Sequence, residues 1–175
     1  MGTAKKTENL ICKNCGELPH SPTCPGWNGD LTKEKALEIA RELMGVAEDI
    51  RKTGEQVEMM FAFWVPKEKK MRLLPGAMLY GDNTQVAAQV RQISDSIGAT
   101  AVFTAVEGWL GRNPMVRPSE DPSRQEAIII TASGEGINLM LMRQIFEDGT
   151  LGEVEEVIGD VQGTFSNLSN REMMN

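Results

Sequence analysis

The sequence predicts an α+β protein: a mostly antiparallel sheet of about five strands with two main helices, in the order α-β-β-α-β-β-β, behind a small cysteine-rich N-terminal appendage. Three observations predict it. Two stretches repeat apolar residues at steps of three and four, as amphipathic helices do. Five short apolar runs are separated by Gly, Pro or charged turns, as strands are. All three cysteines and the one histidine fall within residues 12–24. A chain of 175 residues has room for one ordinary core plus an appendage.

Taken in order, residues 32–53 form the first helix. Ala36, Ala40, Leu43, Ala47 and Ile50 make its stripe, and Leu37, Ile39, Met44 and Val46 widen it. Thr32 is its N-cap and Gly54 its stop. Residues 57–65 are a dense apolar run ended by Pro66, short enough for a buried strand. A charged turn over Lys67 to Lys70 leads to a second strand at 71–80, which Pro75-Gly76 breaks, as a bulge or an edge position would. Asp82-Asn83-Thr84 caps a second helix built on Val86, Val90, Ile93 and Ile97, and Gly98 stops it. Strands follow at 99–109, 125–132 and 137–146, the last two joined by a hairpin at Ser133 to Gly136. This order suits a sheet with the helices on one face. Residues past 147 are acidic and glycine-spaced and receive no element. The domain reading is 1–30 tail and appendage, 31–165 α+β domain, 166–175 flexible tail. Eleven methionines, among them Met59, Met60, Met140 and Met142, fit an irregular core.

Composition narrows the classes of function. Apolar residues are 41% and charged residues 25%, which suits a globular protein. No apolar run approaches the roughly 20 residues of a membrane span, and the basic N-terminus lacks the apolar stretch of a signal peptide. A cytoplasmic protein without membrane partners is expected. Residues 1–30 carry three Lys and three acids, so the whole net charge of −7 lies in residues 31–175. That argues against a general phosphate-backbone binder, which needs clustered bases. The local exceptions are a basic run, Lys67, Lys69, Lys70 and Arg72, and an acidic stretch from Glu147 to Asp160; both read as solvated surface.

Cys12, Cys15, His20 and Cys24 stand in the spacing Cys-x2-Cys-x4-His-x3-Cys. A Cys-x-x-Cys turn presents two thiolates to one tetrahedral ion, and Gly16 fits the turn. Pro19, Pro22 and Pro25 stiffen a loop too short to hold a core of its own. A disulfide would strand the third thiol and is uncommon inside cells. A redox pair needs a preceding strand, and iron–sulfur centres prefer four thiolates. Zinc fits three thiolates and an imidazole best, and four protein ligands make the site closed and structural. Residues 12–25 resemble the CCHC zinc knuckles of retroviral nucleocapsid and related proteins, sharing the Cys-x-x-Cys-Gly opening and the Cys-Pro close. They depart by one residue between His20 and Cys24, where this chain has three intervening residues and the family four. The resemblance implies zinc and, through Lys13 and Trp27, single-stranded nucleic-acid binding of the family's kind. Trp27 packing the knuckle onto the main domain is an equal alternative.

With His20 and the cysteines committed to a metal, no imidazole or thiol is left for a triad or a nucleophile. The most distinctive segment is the nineteen-residue loop from Gly108 to Glu126, a length that usually marks function or disorder. Residues 100–133 resemble a pattern in uncharacterised bacterial and bacteriophage proteins, a likeness that names no activity. In the loop Arg112, Arg117 and Arg124 alternate with Glu120, Asp121 and Glu126, so the charges can satisfy one another in an ordered cap or partner surface. In the rival reading Glu107, Glu120, Asp121 and Glu126 hold magnesium for nuclease or phosphotransfer chemistry.

The expectation is therefore a non-enzymatic, zinc-containing binding or accessory protein acting in the cytoplasm, or in the host cytoplasm if phage-encoded. Its partner is a protein or single-stranded nucleic acid. The binding residues expected are Lys13, Trp27, Glu107, Trp109, Arg117 and Arg124, and a homo-oligomer or a virion and assembly role is a further alternative.

Overall fold

The computed structural model describes residues 29–111, 113, 115–159, 161, 165 and 168. The four proposed zinc ligands, Cys12, Cys15, His20 and Cys24, lie outside the described residues, as do Lys13, Trp27, Arg112 and the 166–175 tail apart from Leu168.

The first helix, α1 (Lys33–Lys52), starts where expected: the Thr32 side chain accepts the N–H of Lys35 at 3.2 Å, and Gly54 follows with φ +86. Ala36, Ala40, Met44 and Ala47 are its buried stripe. Replacing Thr32 with alanine should cost about 1 kcal/mol, read as a lowered midpoint in urea unfolding. Strand β1 (Met60–Val65) turns through a 3-10 segment into β2 (Lys70–Pro75), with Lys69 left-handed at φ 51. Beyond Pro75 the chain cannot continue as a strand. The N–H of Gly76 bonds the Met59 carbonyl at 2.7 Å, and a Cβ there would lie 2.8 Å from Met59. The second helix, α2 (Asn83–Ile97), opens on a capping box of Asp82 and Gln85 and stops at left-handed Gly98.

Three long strands complete what was expected: β3 (Ala101–Leu110), β4 (Gln125–Gly134) and β5 (Ile137–Ile145). A sixth, β6 (Leu151–Ile158), was not. The sheet order is β2-β1-β3-β4-β5-β6, and every neighbouring pair is antiparallel. The acidic stretch past 147 is therefore in part the outer strand of the sheet. Its burial is low along most of its length, so period-two alternation of apolar residues, the usual sign of a strand, is absent.

The helices lie on opposite faces, which corrects the one-face arrangement. Alternation along β1 sends Ala62 and Trp64 to the α1 side and Phe61 and Phe63 to the α2 side. The α1 side holds the larger core, with Phe103, Ile128, Ile130, Leu139 and Leu141 fully buried. The α2 side holds Phe61, Phe63, Val86, Val90 and Val102, joined by Leu168, whose N–H donates to Ser133 Oγ at 3.1 Å. Met60 borders the first core and Met59 the second, while Met140 and Met142 are only half-buried.

The outer strand is clamped to α1. Arg41 forks onto both oxygens of Glu156, at 2.7 and 2.9 Å. That hydrogen bond holds the Glu156 carboxyl below its ordinary value of 4.5. The folded state thus binds fewer protons than the unfolded one, so the clamp's contribution is fully present above about pH 4.5 and lost as pH falls through the lowered folded value. The stability difference between the native chain and Arg41→Ala should be constant from neutral pH down to that point and shrink below it in pH-dependent thermal unfolding.

Candidate functional site

The loop between β3 and β4 is ordered from within by one buried carboxylate. Asp121 is 2% exposed; its Oδ1 accepts the N–H and the hydroxyl of Ser123 at 2.8 and 2.7 Å, and its Oδ2 accepts the N–H of Asn113 at 2.9 Å. The Arg117 carbonyl accepts the N–H groups of Glu120 and Asp121, closing the 3-10 turn at Pro118–Glu120. The loop packs closely against Gly111, where a Cβ would stand 3.0 Å from Pro118 Cα. Among the described residues no ion pair joins Arg117 or Arg124 to an acid of this loop, Arg112 lies outside them, and the hydrogen bonds that Asp121 accepts hold the described part of the loop together.

That folded loop sets Arg124 over Trp109. The guanidinium carbon lies 4.7 Å from the ring centroid, and the guanidinium also donates to the Ser119 carbonyl. Trp109 leaves the end of β3 directly opposite Glu126 on β4, and Glu126 is opposite Ile145 on β5. Beyond Ile145 the chain turns tightly. Phe146 N–H bonds the Thr150 carbonyl, Gly149 adopts φ +80, and Asp148 Oδ1 accepts the hydroxyl and the N–H of Thr150 at 2.6 and 2.9 Å. The Thr150 hydroxyl, more than its N–H, keeps the Asp148 carboxyl below the ordinary range, so this acid stays ionised.

Loop and turn together bound an open groove of about 960 Å³. Trp109 and Phe146, 45% and 44% exposed as residues, both line it. Glu126, Glu147 and Asp148 stand along the same groove, and Arg124 is the one base among the described residues lining it. Aromatic rings beside carboxylates suit cations, and Trp109 already carries one, the Arg124 guanidinium, over its ring.

Two of the expected binding residues, Trp109 and Arg124, thus meet in one place. Two do not. Arg117 is exposed and stands away from the groove lining. Glu107 serves the fold: its Oε2 accepts the Val57 N–H at 3.0 Å and faces Arg51 Nε at 3.8 Å, on the α1 side of the sheet. Of the carboxylates in the magnesium reading only Asp121 and Glu126 line the groove, and among the described residues no three of His, Cys, Asp or Glu come together as a cation cage. The sequence reading missed Phe146, Glu147 and Asp148. Asp148-Gly149 after an apolar run is a hairpin signal that could have found them.

The N-terminal segment enters the described chain at Gly29, whose carbonyl accepts Trp64 Nε1–H at 2.7 Å. A Cβ on Gly29 would sit 2.3 Å from the Pro66 carbonyl oxygen, so residue 29 is pressed against the start of the basic β1–β2 turn. Among the described residues no helix is long and apolar enough to cross a membrane. Compared with known proteins, the chain matches no family model, no curated protein and no solved structure.

Proposed function

We propose that the chain is a non-enzymatic binding or accessory protein whose groove takes a cationic, Lys- or Arg-rich segment of a protein partner. The observation that carries this reading is the pair of half-exposed aromatic residues, Trp109 and Phe146, set among Glu126, Glu147 and Asp148. A lysine stem can lie on an indole while its ammonium meets a carboxylate, and the same charges repel phosphate. The proposal includes a zinc knuckle on Cys12, Cys15, His20 and Cys24 as a separate, metal-held module, with zinc structural and the location cytoplasmic.

Calorimetric titration with an oligolysine peptide tests the groove. Trp109→Ala should weaken binding about 30-fold, the effect of losing a central aromatic anchor worth roughly 2 kcal/mol. Arg124→Ala, which removes a like charge, should leave affinity equal or higher. Weakening by Arg124→Ala with no effect of Trp109→Ala would mean an anion site, and the reading would fail.

A second reading, single-stranded nucleic acid held by the knuckle, is favoured by one observation: residue 29 is fixed beside Pro66, next to Lys67, Lys69 and Lys70. In that case oligothymidylate binding should fall when those three lysines become alanine and when zinc is chelated, while Trp109→Ala leaves it unchanged.

A further inference from the structure

We infer that copies of this chain join edge to edge, β6 of one against β2 of the next, in an open-ended antiparallel sheet. Among the described residues β2 and β6 are the two ends of the sheet, each hydrogen-bonded to one neighbouring strand. A strand edge leaves a row of N–H and C=O groups able to pair with another chain. The two edges carry opposite charge. Residues 67–72, the turn into β2 and its first half, hold four bases and one acid; residues 153–156 of β6 hold three acids and no base.

The charges also fall on matching faces. Arg72 is opposite Phe63 and Lys70 opposite Val65, on the α2 side of the sheet, while Leu73 is opposite Ala62 on the α1 side. On β6, Glu155 is opposite Met142, and Val154 is opposite Arg143, which reaches Glu48 of α1. An antiparallel junction that sets Arg72 against Glu155 therefore sets Leu73 against Val154 in the same register. A charge pair forms on one face and an apolar pair on the other. Leu73 and Val154 are 66% and 39% exposed in the single chain, and this junction covers both. Arg72 keeps Glu68 on its own chain and gains a second acid.

Direction agrees as well. Six strands, all antiparallel, leave β2 and β6 running oppositely, so a copy placed by simple continuation of the sheet meets its neighbour antiparallel with both helix layers on their own sides. Joining like edges would oppose Lys and Arg to one another, or Glu to Glu, which disfavours twofold dimers through either edge. What remains is a head-to-tail contact, which grows into filaments or closes into rings.

Sedimentation velocity of the full chain over a range of concentration and salt tests this. The native chain should run as species of at least twice its 19.3 kDa at low ionic strength. It should revert to single chains near 1 M NaCl, where charges are screened beyond about 3 Å. The variants Lys70→Glu/Arg72→Glu and Glu153→Lys/Glu155→Lys, each with two edges of one sign, should be single chains alone and assemble when mixed. A native chain that stays single at low salt overturns the inference, as does assembly by either variant alone to the native extent. Circular dichroism matching the native spectrum establishes that each variant is folded; where one is not, the salt dependence of the native chain decides.

Discussion

Truncating Phe103 to alanine is expected to lower stability by about 3–5 kcal/mol, the largest effect of any single substitution in the α1-side core. The ring is fully buried at the centre of β3. Its cross-strand neighbours are Ala62 on β1 and Ala132 on β4, and the helix above offers Ala36, Ala40 and Ala47. These alanines let α1 approach closely and leave the phenyl ring to fill the space between. The alanines cannot fill the gap themselves, and only a shift of Met44 or Ile130 from the same core would narrow it, so the cost lies within that range. Urea unfolding should show a much lower midpoint at an unchanged slope. A loss below about 1 kcal/mol would mean that the layer collapses onto the void.

The second large effect is expected at Glu107, where alanine should cost about 3 kcal/mol. The carboxylate is nearly sealed and serves two groups at once: it accepts the Val57 N–H and faces the Arg51 guanidinium at the end of α1. Removing it leaves a buried N–H without its side-chain acceptor and a cation without its counter-charge. Arg51 is itself about one-fifth exposed, which holds the cost to the lower end of the range for broken buried pairs. Glutamine keeps an acceptor for Val57 and loses only the charge, so Glu107→Gln should cost roughly half as much. The magnesium reading expects otherwise: Glu107→Gln and Asp121→Asn would abolish metal-dependent turnover of nucleic acid or nucleotides while Glu107→Gln left stability unchanged.

These two residues, four apart on one strand, mark what the amino-acid order could and could not convey. Phe103 lies in a run whose apolar density announces a buried strand, and the helices at 33–52 and 83–97 announced themselves by spacing and caps. Glu107 looked like a free acid beside a long loop because its partners, Val57 and Arg51, are fifty residues away in the chain. Asp121 was one of several alternating charges, and its role as the acceptor that folds the loop depends on amides whose direction only the folded turn sets. The outer strand β6 was hidden for a different reason: an edge needs little burial, and acidic side chains there replace the apolar alternation that a central strand requires. Half of the groove followed β6 into obscurity, since Phe146, Glu147 and Asp148 acquire a place only once β5 and β6 pair. The side on which each helix packs was likewise invisible in the order of elements, because that order is the same for one-face and two-face arrangements.

Whether the Trp109 groove receives cations is tested most directly by the indole N–H signals of the full chain in a nitrogen-15 correlation spectrum. The three tryptophans are Trp27, Trp64 and Trp109. Addition of oligolysine should shift the Trp109 indole signal in a saturable way and leave Trp64 still, since its N–H is held by the Gly29 carbonyl. An unmoved Trp109 signal, or one that responds to oligothymidylate and not to oligolysine, would contradict cation binding there.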